Sequence, residues 1–64
     1  MSIKISMAAA RVNAGLTQKM AAEKIGVSLS TIKNWEKGHT SPKYKQLDAI
    51  CGAYEIPVDN IKFF

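Results

Sequence analysis

Apolar positions along the chain recur mostly at helical spacing. Leu47, Ile50, Cys51 and Tyr54 follow the i, i+3, i+4, i+7 rule of an amphipathic helix, and Tyr44 extends that stripe by a turn. Projecting Leu29 to Lys37 at about 100° per residue puts Thr31, Ile32 and Trp35 on one arc, which belongs in a core. Leu29, Ser30, Lys33, Asn34 and Lys37 fall on the opposite arc. Ile56, Val58, Ile61 and Phe63 fall near the end of the chain and are expected to close the core. Only Ile3-Lys4-Ile5 alternates as a strand would, and it is too short to count.

Capping and breaking residues divide this pattern into five helices. Ser6 can cap a first helix from Met7 to about Asn13, helped by its Met-Ala-Ala-Ala run and stopped at Gly15. Thr17 caps a second, Gln18 to Ile25, ended by Gly26. Ser28 caps a third, Leu29 to Lys37, ended by Gly38. Ser41-Pro42 places proline at the first turn of a fourth helix running to about Tyr54. Pro57-Val58-Asp59 opens a short fifth one ending near Phe63. Gly52 inside the fourth helix costs about 1 kcal/mol against alanine. The fold expected is all-α, one compact five-helix domain over residues 1–64.

The charge pattern narrows the functional classes. The net charge is +4, and the pI is about 9.5. Six lysines against Glu23 and Glu36 give Thr17 to Gln46 a net of +4, whereas Leu47 to Phe64 carries −2. The basic part is a plausible footprint for a polyanion, although a solvated lysine surface gives the same count. A chain of 64 residues, 47% of them hydrophobic, has enough apolar content for a core and no room for an enclosed active site besides. One His and one Cys offer no metal-ligand spacing, and no Gly-rich phosphate loop with its lysine is present. Around Gly38-His39-Thr40-Ser41 nothing supplies an orienting acid or an oxyanion hole. An enzyme is therefore not expected, nor a cofactor, a metal or a small-molecule substrate. Cys51 reads as a core thiol, His39 as an exposed loop residue, and Met7 and Met20 as core filler. No signal peptide or membrane span is legible, so the cytoplasm is the default expectation.

Residues 17 to 38 read as two short helices joined by a three-residue turn, the helix-turn-helix arrangement that reads DNA. Ala22 is small where the helices cross, and Gly26 sits where the turn needs a positive φ. On the outer arc of the third helix, Asn34 suits adenine, Lys33 suits guanine O6 and N7, and Leu29 suits a thymine methyl. Ser30 can reach a base or a phosphate.

Leu16-Thr17-Gln18, Ala22, Gly26-Val27-Ser28, Thr31-Ile32, Trp35-Glu36 and Gly38 together resemble the signature of the lambda-repressor-like family of phage repressors and Cro proteins, also called the XRE family. Arg11, Pro42, Leu47, Ile50 and Ile61 extend the resemblance over residues 7 to 63. It implies a five-helix domain with helix three in the major groove of double-stranded DNA. Gln18 would reach the backbone, and the loop from Lys37 to Lys43 would contact phosphate. Arg11 and Glu36 match a pair that often forms a partly buried salt bridge in this family. There are two departures: Ala21 stands where a large aliphatic residue is usual, with Met20 expected to fill the space, and Leu29 stands where many members are polar.

The DNA-contacting set expected is Thr17, Gln18, Ser28, Leu29, Ser30, Lys33, Asn34, Lys37, Thr40 and Lys43. The function expected is a sequence-specific repressor of phage or prophage type that occupies an operator. A homodimer is expected from the family and from the few bases that one module reads, using helix five, its neighbours and Phe64. The alternative reading is an antitoxin-like or co-regulator module that holds a partner protein, with DNA binding secondary.

Overall fold

Three hydroxyl caps start the first three helices. Ser6, Thr17 and Ser28 are extended, and their side-chain oxygens accept from the backbone N–H groups of Ala9 (3.0 Å), Met20 (3.1 Å) and Thr31 (3.1 Å). The computed structural model describes residues 3–63. Its helices are α1 (Met7–Asn13), α2 (Gln18–Ile25), α3 (Leu29–Lys37) and α4 (Leu47–Tyr54). Gly26 and Gly38 end α2 and α3 at φ of +91° and +81°, in the left-handed region that a side chain rarely enters.

The second half of the chain departs from expectation. Pro42 is buried but opens no helix. Lys43 is extended, Tyr44–Gln46 forms a 3₁₀ turn, and α4 begins only at Leu47. The helix then stops at Glu55, whose φ of +54° makes it the non-glycine residue in the left-handed region among the described residues. Most strongly, the expected fifth helix is absent. Val58–Asn60 is a single 3₁₀ turn, followed by a two-residue strand, β2 (Ile61–Lys62). It pairs in parallel with β1 (Ile5–Ser6), Ile5 opposite Ile61 and Ser6 opposite Lys62. The described residues thus hold four α-helices, and the fold is mainly helical. Of the Ile3-Lys4-Ile5 alternation only Ile5 enters a strand, with Ser6, because its partner arrives from the other end of the chain.

Ile32 and Ile50 are the largest fully buried side chains. Around them pack Met7, Ala10, Ala21, Ala22, Trp35, Ala53, Tyr54 and Ile61. Ala22, 4% exposed, keeps α2 close to α3. Ala21 is wholly buried although Met20 is 48% exposed, so the space at this position closes without Met20. Tyr44, 91% exposed, and Val58, 48% exposed, also lie outside the core they were expected to join. For Tyr44 the reason is that α4 starts after it, so the helical stripe never reaches it. Ile56 and Phe63 pack against the core as expected, and so does half-buried Cys51.

Gly52 lies on the exposed side of α4, and a Cβ there would meet nothing within 4 Å. Gly52→Ala is therefore expected to stabilise the fold by roughly 0.5–1 kcal/mol. A rise in the urea midpoint at unchanged m-value checks it.

Candidate nucleic-acid interface

The surface of interest is built on α3, which is fixed from within. Ile32 and Trp35 anchor one side in the core. The other side presents Leu29, Ser30, Lys33 and Lys37 to solvent, with Asn34 half-buried beside them. Among the described residues the side chains of Lys33, Asn34 and Lys37 have no hydrogen-bond or ion-pair partner, so their donors and the Asn34 carbonyl are all free for a ligand. The backbone carbonyl of Asn34 accepts from His39 N–H at 2.9 Å, which folds the following loop back onto the helix end.

Thr17 and Ser28 spend one oxygen lone pair each on capping, and Ser28 shares a second hydrogen bond with the Thr31 hydroxyl at 2.9 Å. Both residues are exposed. Thr40 and Lys43 lie exposed on the loop after α3 together with His39. The backbone N–H of Lys43 donates to Gln46 Oε1 at 2.7 Å, and so ties that loop to the 3₁₀ turn.

One ionic cluster holds α1, α2 and α3 in register. Arg11 Nε donates to Glu36 Oε2 at 2.7 Å and its Nη2 to Oε1 at 3.3 Å, while Nη1 donates to the Leu16 carbonyl at 2.8 Å. The two side chains are only 15% and 9% exposed. The hydrogen bond to Glu36 holds the Arg11 guanidinium above its usual pKa, against the opposing pull of burial. Gln18 Nε2 adds a third donor to Glu36 Oε1, at 3.1 Å. This contact was not anticipated from the sequence, where Gln18 reads only as a DNA contact. One of its amide hydrogens is committed, and its carbonyl oxygen and the second hydrogen remain. The cluster has an electrostatic consequence: the acid of α3 is neutralised inside the protein, so the outer face of the helix keeps its positive sign.

A model of the helix-turn-helix family matches residues 7–61. The chain belongs to the lambda-repressor-like helix-turn-helix family. A relative is the cryptic phage CTXphi transcriptional repressor RstR of Vibrio cholerae serotype O1, 36% identical over 61 residues, which cover 95% of this chain and 54% of that protein. The chain thus spans about half the length of this curated relative. No solved structure matches. In this helix-turn-helix domain the described residues hold no cluster of three or more His, Cys, Asp or Glu suited to a metal. No described helix is long and apolar enough to cross a membrane.

Behind the cluster lies Tyr54, 3% exposed, whose hydroxyl has no hydrogen-bond partner among the described residues. Burial, with a smaller contribution from Glu36, pushes its pKa up to about 12. The folded value thus lies above the unfolded value of about 10. The neutral phenol's contribution to stability is complete below about pH 10 and is lost as pH rises toward 12. Ultraviolet titration should show the Tyr54 phenol ionising well above the ordinary phenol value of about 10. The Tyr54→Phe variant should lose less stability than the parent between pH 10 and 12.

Proposed function

We propose that this chain is a phage-type, sequence-specific transcriptional repressor that acts by occupying an operator, with α3 in the major groove of double-stranded DNA. The observation that carries the proposal is the free Lys33, Asn34 and Lys37 face on a helix pinned to the core by Ile32 and Trp35 and to α1 by the Arg11–Glu36 pair. The relative's description as a phage repressor points the same way. In this reading Lys33, Asn34, Leu29 and Ser30 meet base edges. Thr17, Gln18, Ser28, Lys37, Thr40 and Lys43 meet the backbone and set the register. Binding needs no catalysis and no cofactor, and takes place in the bacterial cytoplasm where the DNA is.

The protein would bind as a homodimer, at least on DNA. With no fifth helix in the fold, and Phe64 outside the described residues, the dimer face is reassigned. Tyr44, Leu47 and Val58 line one apolar hollow flanked by Lys45 and Asp48. Lys45 and Asp48 bring opposite charges to its rim, so two copies of the patch are compatible in charge about a two-fold axis. The same exposed apolar patch is what the second reading, a protein-binding module, would use for its partner.

Selection from random duplex DNA at stated salt separates the two. An enriched inverted repeat with half-sites about one helical turn apart supports a dimeric repressor. No enrichment, with only weak salt-sensitive binding, favours the protein-binding module.

A further inference from the structure

The sequence counts Lys62 with the acidic C-terminal segment, but the fold removes it from there. Pairing of β2 with β1 sets Lys62 opposite Ser6, at the start of α1. Its neighbour Ile61 is buried, so the strand's alternation turns the Lys62 side chain outward. There it lines an open cleft of about 320 Å³ together with Ser6, Lys37, Glu36, Thr40 and Ser41.

We infer that this cleft is a second contact for the phosphate backbone of duplex DNA, in which Lys62 acts beside Lys37. The inference rests on the DNA-binding reading above and extends it to a residue outside the helix-turn-helix. Glu36 is the acid that lines the cleft, and its carboxylate is already held by Arg11 and Gln18. Lys37 and Lys62 are exposed and have no anionic partner among the described residues. Two uncompensated ammonium groups on one concave surface raise the local potential for an anion. The hydroxyls of Thr40 and Ser41, both exposed, add neutral donors to the same cleft. A phosphodiester asks for this combination of point charge and undirected donors, whereas a base edge asks for paired, oriented groups. Lys37 belongs both to the outer face of α3 and to the cleft, so a strand that follows α3 would pass from one to the other without a break.

The test is fluorescence anisotropy of the full chain on two labelled duplexes, the selected operator and an unrelated sequence, from 50 to 200 mM NaCl. Loss of one phosphate contact lowers the slope of log K against log salt by about 0.9 and weakens binding roughly five- to tenfold near 0.1 M salt. Lys62→Ala is expected to show both changes equally on the two duplexes, with an unchanged melting temperature, and Lys62→Arg to restore them. Should Lys62→Ala lower the melting temperature, Lys62→Gln keeps most of the side-chain stem and carries the comparison with Lys62→Arg. A wild-type slope and affinity in Lys62→Ala, on a parent that binds DNA, overturns the cleft. A loss confined to one duplex overturns the phosphate assignment in favour of base reading. A parent that does not bind duplex DNA overturns the DNA reading itself, and the cleft with it.

Discussion

Arg11→Ala is expected to cost about 2–3 kcal/mol of folding free energy, at or just below the range for breaking a fully buried ion pair, since this pair is part-buried. The cost does not come mainly from lost attraction. It comes from what is left behind: the Glu36 carboxylate, 9% exposed, would keep only the Gln18 amide as a donor, and the Leu16 carbonyl would lose its Arg11 partner. A domain of this size has only a few kcal/mol in hand, so a large fraction of the variant should be unfolded at 37 °C. Urea denaturation followed by circular dichroism measures it. Pairing Arg11→Ala with Glu36→Ala should recover part of the loss, since the stranded charge is then gone too. If Arg11→Ala melts like the parent, water already solvates Glu36 and the pair is ornamental.

The second large effect is on recognition. Lys33→Ala combined with Asn34→Ala should abolish most sequence preference, because each good bidentate contact with a base is worth about 1–3 kcal/mol of discrimination. Lys33 is exposed, Asn34 is half-buried, and neither side chain has a partner among the described residues, so stability should change little. The expected result is a double variant that melts normally and binds the selected operator hardly better than unrelated DNA. Competition between the two duplexes reads this out. Retained preference would move the reading surface off α3.

The parts of this fold that could be read from the sequence are those fixed by short-range chemistry. A hydroxyl three residues before an amide makes a cap wherever the chain is free to turn, and Ser6, Thr17 and Ser28 all do so. Gly26 and Gly38 end helices for a reason local to their own φ. The Arg11–Glu36 pair was legible only through family resemblance, because nothing in the spacing of residues 11 and 36 brings them together. What escaped was decided at long range. Pro57-Val58-Asp59 has the composition of a helix start, but Ile61 and Lys62 find a strand partner in Ile5 and Ser6, and the chain stays extended. Helical periodicity carried Tyr44 into a stripe whose helix begins three residues later. Met20 looked like filler because its length matched a gap that the packing around Ala21 had already closed. For the interface, the identity of the α3 face was readable by projection. The Gln18–Glu36 contact and the placing of Lys62 required the folded chain.

The pairing of residue 5 with residue 61 makes nearly the whole polypeptide one closed ring. Closing a ring that long costs more chain entropy than any helix-to-helix turn in the protein, although the cost rises only with the logarithm of length. Four strand residues are a small seam for such a ring. The α2–turn–α3 unit draws on contacts close in sequence and does not depend on that closure. The seam is thus the natural place for the ring to unzip while the reading unit stays folded. Amide hydrogen exchange would see this as faster exchange at Ile61 and Lys62 than within α3. Each such opening would carry Lys62 away from Lys37, so the strength of the grip on the backbone would follow the state of a seam far from the groove-reading helix in sequence.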